Sequence, residues 1–264
     1  MRTEYETLTL ERPDQHVLVV MLDRPEAANA MNTRMGLDLT ELFEPLQVDQ
    51  EGLRCIVMTG CGEKAFCAGG DLKERRGMSD EVWQRQHAIF ERMLRALIGC
   101  PLPVIAAVNG VAYGGGCEIA AAADFVYASS SARFALTEVT LGIMPGAGGT
   151  QTLPRAVGER RAKEIILTGR PFTAAEAEAW GFVNRVLEPD RLMPEALETA
   201  RCIAANGPIS VRQAKQSIQR GLQMSLSDGL AFEIEAYNRT VPTEDRREGV
   251  LAFNERRKPV FRGR

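Results

Sequence analysis

Two glutamates lie in strongly apolar stretches of this sequence. Glu118 is followed by Ile119 and four alanines, and Glu138 lies between apolar neighbours in residues 134–142. A buried carboxylate costs several kcal/mol unless it finds partners or its pKa rises. Two carboxyl groups in one dry pocket can divide the work of activating water and delivering a proton. The alternative for either one alone is a solvated or helix-capping glutamate, which is the commoner situation.

Two glycine-rich segments each follow a predicted strand. Residues 66–71 read Phe-Cys-Ala-Gly-Gly-Asp, and residues 109–118 contain three successive glycines before Cys117 and Glu118. Glycines let a ligand approach the backbone, and the first turn of a helix offers unpaired N–H groups. Two such donors on one carbonyl oxygen would stabilise an enolate. Alternatively, the glycines only allow tight packing; neither segment is a phosphate loop, because no Gly-Lys-Ser/Thr follows.

Other side chains are weaker candidates for chemistry. Cys67 and Cys117 could be nucleophiles with His87 as their base, but small buried thiols more often serve packing. The glycine-rich residues 144–151 could open a helix that binds an anion, or could form a simple turn. A GxSxG motif is absent from the sequence, which argues against a serine hydrolase of the α/β-hydrolase kind.

Composition excludes several classes of protein. The 264 residues are 45% hydrophobic and 25% charged, as in an ordinary globular protein, and the net charge of −3 gives no reason to expect nucleic acid as a partner. The acidic N-terminal residues do not resemble a secretory signal, and charged residues interrupt the apolar residues 104–128, so we expect a cytoplasmic protein without a membrane span. Six cysteines without a CxxC pair and two histidines predict no metal site.

The order of predicted elements indicates an α/β fold. Strands and amphipathic helices alternate up to Pro145, which favours parallel strands with right-handed crossovers. Beyond Pro145 all but one of the predicted elements are helices. The predicted strands are residues 16–22, 53–59, 103–108, 125–128 and 182–187; the predicted helices are 32–49, 79–98, 114–123, 150–157, 160–168, 174–180, 192–205, 210–221 and 225–238.

These motifs resemble, in order, spacing and content, the signature segments of the crotonase, or enoyl-coenzyme A hydratase/isomerase, superfamily. The resemblance covers essentially the whole chain, and its segments are residues 22–25, 29–30, 66–72, 104–124, 134–153, 167–170, 248–249 and 253–257. It implies a spiral of ββα units, with a catalytic core over residues 1–200 and a C-terminal helical region over residues 201–264. It also implies trimers, which often pair into hexamers.

The resemblance further implies an acyl-coenzyme A substrate and hydration as the reaction. Backbone N–H groups at Ala68 and Gly115 would hold the thioester oxygen, while Glu118 and Glu138 would hold the water; Glu118 would activate it and Glu138 would supply the α-carbon proton. Related isomerases, hydrolases and dehalogenases usually lack one or both glutamates. No metal or redox cofactor is expected. Coenzyme A is part of the substrate and is not counted as a cofactor.

Contacts with coenzyme A are implied by the same resemblance. Phe253 and Arg256 would reach the coenzyme A of a neighbouring subunit. Without the resemblance, both would be read as packing and solvated residues. The contacts within the subunit would come from Glu26, Ala27, Ala28, Ala68, Gly69, Gly70, Asp71 and Gly115.

Residues 70–79 look most like the branch that contains methylglutaconyl-coenzyme A hydratase. One member of that branch binds RNA through a lysine-rich helix. Here the corresponding residues 32–49 carry one arginine against four acidic residues, so we expect no RNA binding by that route.

Two other functions remain open from the sequence. One is a different reaction in the same fold: an isomerase, a hydrolase or a carnitinyl-type hydratase. The other is a non-catalytic scaffold that binds acyl-coenzyme A or RNA, against which the glutamate pair and the acidic helix both argue.

One apolar stripe bears on assembly. Leu226, Leu230, Ile234 and Tyr237 recur at helical spacing within residues 225–238. Packing within the chain would explain this stripe almost as well as assembly does, and the family resemblance favours a trimer or a dimer of trimers.

Overall fold

The computed structural model describes residue 2 and residues 4–264. Its ten strands are β1 Leu8–Asp14, β2 Val17–Leu22, β3 Cys55–Gly60, β4 Ala65–Cys67, β5 Val104–Val108, β6 Val111–Tyr113, β7 Phe125–Ser129, β8 Arg133–Ala135, β9 Phe172–Thr173 and β10 Arg185–Leu187. Its helices are α1 Thr33–Leu46, α2 Leu72–Arg75, α3 Asp80–Ile98, α4 Gly115–Ala122, α5 Gly149–Val157, α6 Glu159–Thr168, α7 Ala174–Ala179, α8 Pro189–Ala204, α9 Pro208–Gly221, α10 Leu226–Asn238 and α11 Glu244–Asn254, with 3₁₀-helices at Pro25–Ala27 and Glu138–Leu141.

The strands form two sheets, and each of the three successive ββα units places one strand in each sheet. The larger sheet has the order β1-β2-β3-β5-β7-β10, and the smaller has the order β4-β6-β8-β9. Consecutive strands such as β3 and β4, or β5 and β6, enter different sheets. All pairings are parallel except β1 with β2 and β9 with β8. The predicted α/β class and spiral of ββα units are therefore confirmed.

Glycines allow the chain to cross from one sheet to the other within a few residues. A Cβ atom on Gly60 would lie 2.2 Å from the Ala65 carbonyl oxygen, and one on Gly110 would lie 2.3 Å from that of Lys64. Both contacts are with backbone atoms, which cannot move aside. Only glycine fits at these two crossings.

The larger sheet is buried on both faces. On β3, Ile56 and Met58 contribute to one apolar core, which also contains residues of α1 and α3, while Val57 contributes to the opposite one. Helix α8 covers that second face with Leu192, Ala196 and Ala200, which recur every four residues. The domain boundary at residue 200 stays a prediction; residue 200 itself lies within α8.

Helices α9 and α10 pack on each other and contact the core mainly through polar groups. Lys215 donates to the Asp124 carboxylate and the Leu102 carbonyl, both at 2.7 Å. The predicted apolar stripe of α10 remains more than half exposed at each of its positions, which are Leu226, Leu230, Ile234 and Tyr237. This part of the surface is apolar and uncovered within the described chain.

Several elements differ from the sequence prediction. Strands β4, β6, β8 and β9 are two or three residues long, too short to show a periodic pattern. Strand β1 is a half-exposed edge strand, so its residues do not form an apolar run, and α11 was also missed. The expectation of a single strand after Pro145 was wrong because β9 precedes β10. No helix in the described part of the chain is long and apolar enough to cross a membrane.

Candidate active site

A cleft of about 910 Å³ opens between the two glycine-rich segments, helix α3 and residues 137–152. It brings together residues from three successive ββα units, which are far apart in the sequence. Six of the predicted site residues line it: Ala68, Gly69, Gly70, Gly115, Glu118 and Glu138.

Glu118 is a buried carboxylate with two backbone donors. It lies in the first turn of α4 and is only 3% exposed. Its Oε1 accepts hydrogen bonds from the N–H groups of Ala147 and Gly149, each at 2.8 Å. Burial raises the pKa of Glu118 to about 7, against the opposing effect of these donors. The glycine-rich residues 144–151 thus bind an anion, and that anion is the carboxylate of Glu118.

Glu138 faces the same cleft from the 3₁₀-helix that follows β8. Burial raises its pKa above the ordinary value. Its Oε2 is buried and has no hydrogen-bond partner among the described residues. Its Oε1 lies 3.1 Å from where a Cβ atom of Gly114 would be, and Gly114 has a φ of 49°, so a glycine is required there. The negative charge of Glu138 also raises the pKa of Glu118, which shows that the two groups are close enough to interact.

The backbone N–H of Gly115 is available for a ligand in this cleft. Gly115 is the first residue of α4, so its N–H precedes the first hydrogen bond of the helix. The partial positive charge of the helix N-terminus adds to its strength as a donor.

The backbone N–H of Gly70 lies beside it. Gly70 forms a parallel bridge with Met31, in which Met31 donates to the Gly69 carbonyl and accepts from the Asp71 N–H. Because successive peptide groups of an extended strand alternate in direction, the N–H of Gly70 points away from Met31. The Gly70 nitrogen is 3.9 Å from where a Cβ atom of Gly115 would lie.

Comparison with known proteins identifies the family. The sequence model of enoyl-CoA hydratase/isomerase matches residues 12–264. The chain belongs to this family. It is 42% identical over 255 residues to the short-chain-enoyl-CoA hydratase of Clostridium acetobutylicum, with 97% of each chain covered. It is 37% identical to the crotonyl-CoA hydratase of Syntrophomonas wolfei, over 97% of this chain and 98% of the relative.

Solved structures of the family share the fold of this chain. The enoyl-CoA hydratase of Bacillus anthracis is 42% identical, with a TM-score of 0.96 over 98% of this chain and 100% of that one. The superfamily resemblance that the sequence motifs predicted is therefore confirmed.

For this member of the enoyl-CoA hydratase/isomerase family, one predicted donor requires correction. The N–H of Ala68 was expected to hold the thioester oxygen, but it donates to the Ala28 carbonyl at 3.1 Å. In the described part of the chain, the N–H of Gly70 takes part in no such backbone hydrogen bond. The geometry therefore favours Gly70, two residues further on, as the partner of Gly115.

The other predicted coenzyme A contacts lie outside the cleft lining. The Asp71 carboxylate accepts from Arg24 at 3.0 Å and caps α2. Phe253 is 83% exposed on α11, and Arg256 is exposed just beyond it. The remaining three lie in or next to the Pro25–Ala27 3₁₀-helix, and they are Glu26, Ala27 and Ala28.

Sequence reasoning missed Arg75, one of the two arginines among the described residues that line this cleft. The guanidinium of Arg75 lies 4.3 Å from the centre of the Trp83 ring, and its Nε donates to Gln86 at 2.8 Å. The fixed orientation of Arg75 depends on helix α3, which no local pattern around Arg75 indicates. Residues 70–75 include Arg75, but in the sequence they indicated only the branch of the superfamily that the chain resembles and not a cation in the cleft.

The nucleophile hypothesis fails on burial. Cys67 and Cys117 are almost completely buried. Burial raises the pKa of Cys67 to about 11 and that of Cys117 well above its ordinary value. A thiol that stays protonated is a poor nucleophile, so both cysteines serve packing.

Proposed function

We propose that this chain is an enoyl-CoA hydratase, a hydro-lyase that adds water across the 2,3 double bond of an acyl-coenzyme A. The observation that carries the proposal is a pair of carboxyl groups, the buried Glu118 and the half-buried Glu138, which face one cleft beside two backbone N–H donors. The hydratases among its relatives agree with this reaction.

The two N–H donors activate the substrate in this proposal. Hydrogen bonds from Gly70 and Gly115 to the thioester oxygen draw electron density away from carbon 3, which becomes electrophilic. The same bonds strengthen as negative charge develops on that oxygen in the transition state.

The two glutamates then deliver the elements of water. Ionised Glu118 accepts a proton from the water as its oxygen forms a bond to carbon 3, and the electron pair of the double bond moves to the enolate. Protonated Glu138 gives its proton to carbon 2, so that one water is added in total. A pKa of about 7 leaves a large fraction of Glu118 ionised at neutral pH.

The proposed reaction uses no metal ion and no redox cofactor. Addition of water changes no net oxidation state, and the two carboxyl groups supply both proton transfers.

Substitution of the glutamates tests the proposal. Glu118→Gln and Glu138→Gln keep side-chain volume but cannot exchange the proton, so each should lose about 10²- to 10⁴-fold in kcat for crotonyl-CoA. Hydration is followed as loss of the enoyl thioester absorbance, and binding of acyl-coenzyme A should persist.

Glu91→Gln is the matched control for both. Glu91 lines the same cleft but lies exposed on α3, where it pairs with Arg95, so this variant should keep its activity. Near wild-type turnover in either glutamine variant would remove that glutamate from the mechanism.

We also propose a trimer or a dimer of trimers in the cytoplasm. Phe253 and Arg256 are exposed and are not among the residues that line their own cleft, which suits contact with the coenzyme A of a neighbour. The exposed stripe of α10 would be covered in a closed ring. All six cysteines are free thiols, as is usual in a reducing compartment.

A further inference from the structure

Asn29 is a fully buried polar side chain close to the cleft whose partners are all backbone groups. Its Nδ2 donates to the carbonyls of Cys61 and Ala65 at 3.0 and 2.8 Å, and its Oδ1 accepts from the Arg24 N–H at 3.0 Å. Its φ of 55° is in the left-handed region, which an asparagine adopts at some cost. Asn29 thus fastens the loop of residues 24–31 to both ends of the β3–β4 crossing.

This loop is in turn paired with the segment that carries Gly70. Ala28 accepts from the Ala68 N–H at 3.1 Å, Met31 donates to Gly69 at 2.7 Å, and Met31 accepts from Asp71 at 2.9 Å. The two bonds with Met31 occupy the peptide groups on either side of Gly70, and the bond from Ala68 holds the chain two residues earlier. The position of the loop therefore determines where the Gly70 N–H points.

Arg24 joins the loop and the Gly70 segment directly. One nitrogen of its guanidinium, Nη1, donates to the Ala30 carbonyl at 2.5 Å and to the Asp71 carboxylate at 3.0 Å. The other Asp71 oxygen caps α2 by accepting from the N–H groups of Lys73 and Glu74. Both charged side chains are largely buried, at 18% and 11% exposure, so this ion pair is poorly screened by water.

We propose that Arg24, Asn29 and Asp71 are positioning residues that aim the Gly70 N–H at the thioester oxygen. The inference rests on the proposed function, because that function makes Gly70 an oxyanion donor. It assigns Asp71 a role in holding the backbone and not a contact with coenzyme A. A displacement of about 1 Å in a donor can cost about 10²-fold in rate. These three residues therefore control kcat without contacting the substrate.

Asp71→Asn is the principal test. The amide keeps the α2 cap and the volume but loses its charge, which weakens the bridge to Arg24. We expect kcat for crotonyl-CoA to fall about 10- to 100-fold with KM changed less than about threefold. We also expect a smaller red shift of a bound chromophoric thioester, 4-dimethylaminocinnamoyl-CoA, because that shift reports polarisation of its carbonyl.

Asn29→Gly is a second variant, which loosens the loop of residues 24–31 by removing hydrogen bonds and not by removing a charge. Glycine adopts a φ of 55° readily, so the backbone conformation is retained while all three side-chain hydrogen bonds are lost. It should reduce kcat and the red shift in the same direction.

Asp38→Asn is the matched control. Asp38 is fully buried and pairs with Arg34 at 2.6 Å, but it lies against Thr7 and does not line the cleft. Its loss should lower the melting temperature and leave kcat and the red shift unchanged. If Asp71→Asn and Asn29→Gly behave like Asp38→Asn, the positioning role is overturned.

The probe separates this inference from the proposed function. If the wild-type protein shifts the absorbance of the bound probe to the red but does not hydrate crotonyl-CoA, only the hydratase function is refuted. The positioning role is then still tested by comparing the red shifts of Asp71→Asn and Asn29→Gly with that of wild type. A wild-type protein that binds the probe without any red shift would overturn both the positioning role and the oxyanion site.

Discussion

At the scale of single residues, the site depends on a balance around Glu118. Burial disfavours its charge, while the N–H groups of Ala147 and Gly149 favour it. The resulting pKa of about 7 is close to the pH at which a general base works best. The Oε2 atom of Glu138 has no hydrogen-bond partner in the described chain, so it is free to carry the proton that carbon 2 receives.

The pH dependence of the reaction should reflect this balance. Glu118 must be ionised to accept a proton from water, so kcat/KM for crotonyl-CoA should rise with pH through about 7. Initial rates across pH 5 to 9 measure it. A rising limb near the ordinary glutamate pKa would contradict the assignment of Glu118 as the base.

Stability should depend on pH in the opposite sense. Because the pKa of Glu118 is higher in the folded protein than in the unfolded chain, ionisation favours unfolding as pH rises between about 4.5 and about 7. The Glu118→Gln variant has no such charge. Its melting temperature relative to wild type should therefore increase from pH 5 to pH 8, and a constant difference would argue against a raised pKa.

At the scale of secondary structure, the start of one helix and one isolated β-bridge supply the two proposed donors. Helix α4 leaves the Gly115 N–H unpaired at its first position, and the bridge to Met31 directs the Gly70 N–H to the same cleft. Both donors are backbone groups, so their role depends on the conformation of the main chain more than on the type of side chain.

Gly115→Pro should reduce kcat by about 10²- to 10³-fold, because it deletes one oxyanion donor while proline is tolerated at the first position of a helix. Gly115→Ala is the control: it keeps the N–H, and the only close contact of its Cβ is with the flexible end of Met31, at 2.9 Å, while the Gly70 nitrogen lies at 3.9 Å. Hydration rates of the two variants should differ strongly. Equal rates would remove this N–H from the mechanism.

At the scale of the whole molecule, the C-terminal helices are held mainly by polar contacts and leave an apolar surface uncovered. Helix α11 is fastened by the chain end, since Asp245 accepts from the N–H groups of Arg262 and Gly263 at 2.6 and 2.8 Å. Phe253 lies on this helix and is 83% exposed. Such a surface is typical of an oligomer interface.

Leu230→Lys should shift the protein from a trimer or hexamer toward smaller species, because it places a charge within the α10 stripe. If Phe253 and Arg256 contact a neighbour's coenzyme A as proposed, its KM for crotonyl-CoA should also rise. Sedimentation velocity and light scattering measure the assembly, and Glu235→Lys, a charge change at an exposed position of the same helix, is the control. A monodisperse, fully active wild-type monomer would defeat both the assembly and the role across subunits.

The sequence by itself determined the main helices, the buried strands of the larger sheet and the two glutamates. Each of these depends on local information: the 3.6-residue period of α3, the unbroken apolar run of β3, and the cost of a carboxylate among alanines for Glu118. Glycine-rich loops after strands were recognisable for the same reason.

Only the tertiary structure decided which backbone donor faces the cleft and what surrounds it. The choice of Gly70 over Ala68 depends on pairing with Ala28 and Met31, which are about forty residues away in the sequence. Likewise, the smaller sheet has strands too short for a periodic signal, and Arg75 is oriented by a helix that follows it. Hydrogen-bond direction is a property of the paired backbone, and residue types alone do not specify it.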